Sequence, residues 1–432
     1  AIRMSLGARV IRPDRGQFRW DLVDLDSQLP PDHRARLVWS FVCGLDLAPF
    51  YAAVKARDSQ AGRPASDPAV LLALWLYATL DGVGAARALD RLCGQHAAYR
   101  WLCGGGPVNH DLLSSFRRES GAELDRLLTL SLTGLIAEGL VSLEEVAVDG
   151  TKVKARAGRG SMARGEKLAK IEAKIAERIA GLKRELDEDP SAAERRRQER
   201  SMRAAEEQAA RVKRAQETLA EREREKAERA KTHPKEEAEK KGPSVSVSDP
   251  EVRQMRMPDG AVCPAWNVQV GTANGFVVSV EPTDRRQDSG LAMGTVAEIE
   301  RRCGAAPERL LADGTAVVQD DIAGLAGQYP DLAVYSPVPK ARADVTKETL
   351  RKRRWQRRRE PEPVKAWRER METEEAKEIY RRRKLTEHTH AKMKNRGFGR
   401  MLVHGIAKVR AVCLLHALAH NLMQALFLRA AA

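Results

Sequence analysis

Three carboxylates and one cationic run carry the chemistry open to this sequence. Asp149 and Asp313 each close a short apolar run, VAVD and RLLAD, and each is followed by Gly and Thr. Glu387 is the lone acid between Arg381 and Lys394, in the stretch YRRRKLTEHTHAKMK. Hard divalent cations take carboxylate oxygens, and Mg²⁺ typically uses one or two of them before substrate phosphate completes its shell. Two such ions about 3.5–4 Å apart activate an attacking oxygen and stabilise a leaving one in phosphoryl transfer. Tyr380, Arg383, Glu387 and Lys394 recur at steps that place them on one face of a continuous helix. That face offers a metal ligand beside phosphate donors. Taken singly, an Asp before Gly at a strand end is commonly a turn residue. Asp284 and Asp288 compete with Asp313 for the second position. Asp313 is preferred because RLLAD reads as a buried strand with a helix after it.

These residues need elements to hold them. VSLEEVAVDGTKV reads as a strand ending on Asp149. PAWNVQVGT and GFVVSVEPTD, separated by Ala273-Asn274-Gly275, read as a β-hairpin. SGLAMGTVAEIERRCG is an amphipathic helix, ERLLADGTA a strand ending on Asp313, QDDIAGLAGQ a helix and LAVYSPV a strand. This order implies an α/β mixed sheet flanked by helices. Before it, residues 1–140 read as an all-α domain. Asp67-Pro68 starts one helix, Gly82 stops it, and Asn109 caps another. Short helices with tight turns suit a helix-turn-helix-like DNA reader or a plain bundle. Residues 161–242 form an inserted charged helical hairpin broken at Asp189-Pro190-Ser191, with an apolar stripe of Ile171, Ile175, Ile179 and Leu182 on its first helix and an almost wholly polar second helix. The predicted catalytic domain is therefore discontinuous: 141–160, 243–340 and 375–432, with a basic insertion at 341–374. The segment MLVHGIAKVRAVCLLHALAHNLMQALFL closes the chain as one long apolar helix.

Charge points to a polyanion. The 432 residues carry a net charge of +15 with an isoelectric point near 9.7. Residues 340–400 hold 22 basic and 10 acidic side chains, a net of +12, whereas residues 164–241 hold 23 and 19. The excess thus gathers around the Glu387 segment, as a phosphate-binding surface requires. The hairpin reads as a solvated arm. Trp355, within RKRRWQRRRE beside Arg353 and Arg354, either stacks on an extruded base or anchors a basic loop. Six cysteines without a CxxC pair argue against a structural zinc site or a disulfide framework. His416 and His420 have zinc-pair spacing but lie in an apolar helix and read as core histidines. No unbroken apolar run reaches the roughly 18 residues of a membrane helix, and no signal peptide opens the chain. A soluble, cytosolic protein is expected.

The spacing Tyr-x2-Arg-x3-Glu-x6-Lys, at Tyr380, Arg383, Glu387 and Lys394, resembles the signature of bacterial insertion-sequence transposases of the DDE type. VDGTKVKA and LLADG look like the two acidic blocks of the same proteins. GRPASDPAVLLALWLYATLDGVGAARALDRLC, with AYRWLCGG after it, looks like their helical DNA-binding region. The resemblance implies a ribonuclease-H-like catalytic domain using Mg²⁺ or Mn²⁺. It also implies binding to terminal inverted repeats, strand cleavage, and attack of the 3′-hydroxyl on target DNA. By position, Asp149, Asp313 and Glu387 become metal ligands, Arg383 and Lys394 phosphate contacts, and Tyr380 packs against or touches the DNA backbone. Double-stranded DNA is the implied partner, with at least a dimer in the DNA complex and nucleoid association when bound. One departure stands after the acid, where relatives carry an apolar or aromatic pair and this chain has His388-Thr389-His390. Two other functions share these residues: a DNA-binding protein without catalysis, derived from a transposase, and a ribonuclease-H-like nuclease that never joins strands.

Overall fold

The computed structural model describes residues 24–54, 65–187, 191–232, 234, 242–339, 355 and 357–431. Seven helices come first: α1 Arg34–Cys43, α2 Ala48–Ala52, α3 Pro68–Leu80, α4 Ala86–Gln95, α5 Ala97–Leu102, α6 His110–Glu119 and α7 Gly121–Ala137. The Asp67 side chain accepts from the Ala69 N–H at 2.8 Å and caps α3. Asn109 caps α6 in the same way. α3 is buried on nearly every face, so it forms the centre of the helical bundle.

The sheet begins with β1 (Glu145–Lys154). Expected to end on Asp149, this strand runs five residues further. The alternation continues through buried Thr151 and Val153, and the whole stretch pairs antiparallel with β5 (Val262–Ala273). β6 (Phe276–Thr283) follows β5 through Asn274 and Gly275, whose φ of 50° and 81° give the tight turn that joins the hairpin. β4 (Arg253–Arg256) pairs with the start of β5. On the other edge of β1, β7 (Arg309–Ala312) and then β8 (Ala333–Tyr335) add in parallel. The order β4-β5-β1-β7-β8, with β6 also on β5, makes a six-stranded mixed sheet. It is consistent with a ribonuclease-H-like fold. A small second sheet pairs β2 (Met162–Ala163) with β3 (Val245–Ser246) at the foot of the hairpin.

The hairpin itself consists of α8 (Gly165–Asp187) and α9 (Ala192–Thr232). Forty-one residues make α9 about 60 Å long. α9 is less uniformly polar than its composition suggests. Met202, Ala205, Val212, Ala215 and Leu219 are buried along one side, and Ala215 and Leu219 share a small core with Leu168 of α8.

α10 (Ala292–Cys303) and α11 (Gln319–Gln328) connect the parallel strands. α12 (Glu362–Glu372) buries Val364, Trp367 and Met371 and packs toward β8. The signature segment is not one helix. α13 (Glu374–Arg381) and α14 (Lys384–Met393) are joined by a turn in which Arg382, Arg383, Leu385 and Thr386 donate to carbonyls three residues back. A π-type turn, Lys394–Phe398, follows. The closing helix, α15 (Ile406–Ala431), starts five residues later than the sequence suggests, after Gly405 with φ 87°. By length and composition it could cross a membrane. Its middle stretch buries even His416, His420 and Asn421, and it packs on β6, α7 and α3 as a core helix.

Candidate active site

β1 is the centre of the site. Its parallel ladder with β7 ends at the pair Val148–Ala312. The next residues on the two strands are Asp149 and Asp313, so both acids leave the same end of the parallel ladder side by side. Asp149 is thus mid-strand with respect to β5 and terminal with respect to β7. Asp313 accepts from Thr315 Oγ1 at 3.0 Å, and its carbonyl accepts from Ser336 Oγ at 3.2 Å.

A third acid also approaches. A Cβ on Gly150 would lie 2.0 Å from Asp288 Oδ1, so only glycine lets that carboxylate cross over β1. Asp288 accepts from Asn267 Nδ2 at 2.7 Å and Gln269 Nε2 at 2.5 Å. Asp284, the other competitor, is turned away and paired with Arg253 at 2.5 Å. Asp313 and Asp288 therefore flank Asp149, and Asp284 does not.

α14 faces these acids. Thr386 Oγ1 shares a 2.8 Å hydrogen bond with Thr272 Oγ1 of β5, and Thr272 donates to Ala147 O at 3.3 Å. This buried chain fixes the helix against the strand that carries Asp149. At the start of β1, Arg382 pairs with Glu145 at 2.7 Å. The tight α13–α14 turn explains how consecutive arginines both reach β1. In a regular α-helix neighbouring side chains diverge by about 100°.

Arg383 is the cation among the carboxylates. It stands 3.7 Å from Asp149 Oδ2 and 3.5 Å from Glu387 Oε1, with its guanidinium 5.8 Å from the Tyr380 ring centre. Burial opposes its charge. Tyr380, Asp149 and Asp313 more than offset that, and its pKa stands above the ordinary arginine value. Glu387 is mostly exposed and meets Arg383. Lys394 lies two turns on, at the end of α14. Tyr380, Arg383 and Glu387 are thus brought together by two helices and a turn rather than by one continuous helix.

Burial raises the Asp149 carboxyl to about 6; Arg383 draws it down, and Asp288 and Asp313 push it up again. Buried carboxylates crowded in this way favour a bound cation. Their oxygen donors suit Mg²⁺ or Mn²⁺. Among the described residues no group of three His, Cys, Asp or Glu side chains stands ready to hold a metal ion, and Glu387 is turned to Arg383.

Two features escape the sequence reading. His390, one turn after Glu387, is buried with Nδ1 3.6 Å from Asp149 Oδ2. Its signal is position, since it continues the stripe of Arg383 and Glu387. The other is a cavity of about 610 Å³ beside the loop after Asp313, with Lys152, Arg286 and Arg368 among its walls. Arg286 has its pKa lowered first by burial, then by Arg253 and Arg229.

The remaining candidates sort plainly. Trp355 is exposed and Arg359 lies over its ring at 3.9 Å; Arg353 and Arg354 fall outside the described residues. His416 packs edge-on to Phe398 at 4.9 Å, and His420 Nε2 meets Gly275 O at 2.9 Å. Both are core histidines. All six cysteines are free.

Residues 23–119 match the model of a transposase domain (DUF772), and residues 339–426 match that of a transposase DDE domain. Both matches support a DDE-type transposase. Tyr380, Arg383, Glu387 and Lys394 lie inside the second match, and Asp149 and Asp313 between the two. No curated protein and no solved structure matches the chain.

Proposed function

We propose that this chain is a DNA transposase that binds terminal inverted repeats, cleaves the strand there and joins the 3′-hydroxyl to target DNA. The observation that carries the reading is that Asp149 and Asp313 follow the last pair of adjacent parallel strands, with Arg383 between Asp149 and Glu387. Asp149, Asp313 and Glu387 would hold Mg²⁺ or Mn²⁺. The bound ions would supply a metal-activated oxygen nucleophile and charge neutralisation at the leaving oxygen.

The side chains themselves have distinct tasks. Arg383 bridges Asp149 and Glu387 and is placed to exchange them for a substrate phosphate. Lys394 and the cations of the neighbouring cavity would line the path of the DNA backbone. Tyr380 backs Arg383. The helical bundle, matched separately, would bind the element ends. Joining two ends would take at least two copies of the chain.

A second reading has its own support. Glu387 is engaged by Arg383 rather than converging with the aspartates, as a DNA-binding protein without catalysis would tolerate. Nicking of DNA carrying the element's own ends separates the two. With Mg²⁺, the unmutated protein and Asp288→Asn should nick, while Asp313→Asn should lose activity by roughly 10²-fold or more. Binding without nicking by the unmutated protein would select the second reading. Loss in Asp288→Asn with retention in Asp313→Asn would reassign the second ligand.

A further inference from the structure

His390 lies on α14, one turn past Glu387, and is 6% exposed. Its Nδ1 stands 3.6 Å from Asp149 Oδ2, and its Nε2 is buried without a hydrogen-bond partner. An unsatisfied buried nitrogen lowers stability, and an apolar ring of similar size would fill the same space without that cost. Packing alone therefore gives no reason for an imidazole here. The approach to Asp149 does.

His390 Nδ1 at 3.6 Å and Arg383 at 3.7 Å both approach Asp149 Oδ2. Neither is a hydrogen bond at that distance. Such contacts commonly tighten when the ligands of a site arrive. Arg383 is the group that would leave for phosphate, and its departure would strip Asp149 of its cation. We infer that His390 is a positioning residue: its imidazole hydrogen-bonds Asp149 Oδ2 and leaves the other carboxylate oxygen directed at the divalent cation. The inference rests on Asp149 being a metal ligand.

A neutral donor suits this task, because a second cation beside Asp149 would repel the metal. Outer partners of this kind typically change metal affinity by about 10–100-fold.

The test is Mn²⁺ binding to the full chain, followed through the paramagnetic resonance of the free ion. Four proteins are compared: unmutated, His390→Phe, His390→Asn and Asp149→Asn. Asparagine carries its Nδ2 where the imidazole carries Nδ1. His390→Phe should weaken Mn²⁺ binding about tenfold or more, and His390→Asn should restore most of it. The thermal midpoint of His390→Phe should stay level or rise, since a buried unpartnered nitrogen is removed. A histidine with a merely packing role would leave Mn²⁺ affinity unchanged in both His390 variants, whatever the midpoint. That result overturns the inference and leaves the ligand reading intact. Unchanged binding by Asp149→Asn, or none by the unmutated protein, would remove both.

Discussion

Asp149 concentrates the physics of the site. It is buried on the central strand, faces two other acids, and has two cationic or imidazole neighbours at long range. Its folded-state pKa of about 6 exceeds its unfolded value, so folding favours the protonated form. That stabilisation is present below about pH 4 and is lost as pH rises through 6. At neutral pH without metal the ionised carboxylate costs about 3 kcal/mol. Asp149→Asn in a chelating buffer should therefore raise the unfolding free energy by about that amount at pH 7.5, and by little at pH 3.5. Urea unfolding at the two pH values checks this; an equal effect at both would mean that Asp149 is not crowded as described. At this scale the sequence was legible where residue type and spacing suffice, as for Asp149, Asp313 and the Arg383–Glu387 pair. It was illegible for His390. His388 and His390 look alike in a string, and only the docking of α14 on β1 buries the second and exposes the first.

At the scale of elements, local patterns located the strands and helices well and their limits less well. VDGTKVK continues the alternation of β1, but an Asp-Gly-Thr reads as a stop until the twelve-residue β5 is seen paired along it. The α13–α14 turn was hidden because all its residues keep helical dihedrals; the pull of Glu145 and Asp149 on consecutive arginines is tertiary. The hairpin is attached by contacts no periodicity reveals. Arg222 on α9 is buried and donates to the carbonyls of Ser244, Pro250, Glu251 and Val252 at 2.9–3.2 Å. Arg253 joins Glu225 of α9 at 2.9 Å to Asp284 at 2.5 Å. The foot of the arm is thus tied to the loop that leads to Asp288. Arg222→Ala should destabilise the chain by about 2–4 kcal/mol, because four carbonyls lose a charged donor. It should also raise hydrogen exchange across residues 242–252. Unchanged exchange there would show that the arm is held by its apolar packing alone.

Across the whole molecule, composition points to a polyanionic partner and says little of the architecture. The net charge of +12 over residues 340–400 sits in the stretch that contributes α13 and α14 to the site, while the arm nearly balances its own charges. What composition could not foretell is the junction between the helical bundle and the sheet. The Arg302 side chain is fully buried and pairs with Asp125 of α7 and, at 2.6 Å, with Glu298. Arg410 of α15 reaches Asp125 at 2.9 Å and Glu281 of β6 at 2.8 Å. One ionic cluster therefore ties the bundle, α10, α15 and the sheet, and residues far apart in sequence meet there. In the proposed reaction Glu387 acts with Asp149 and Asp313 on DNA. The most direct test is a cleavage and joining assay with DNA carrying the element's own ends and Mg²⁺, comparing the unmutated protein with Glu387→Gln. Metal-dependent nicking and joined products are expected from the first, and end binding without either product from the second. Equal nicking by both proteins would contradict this and leave Glu387 as a surface acid paired with Arg383.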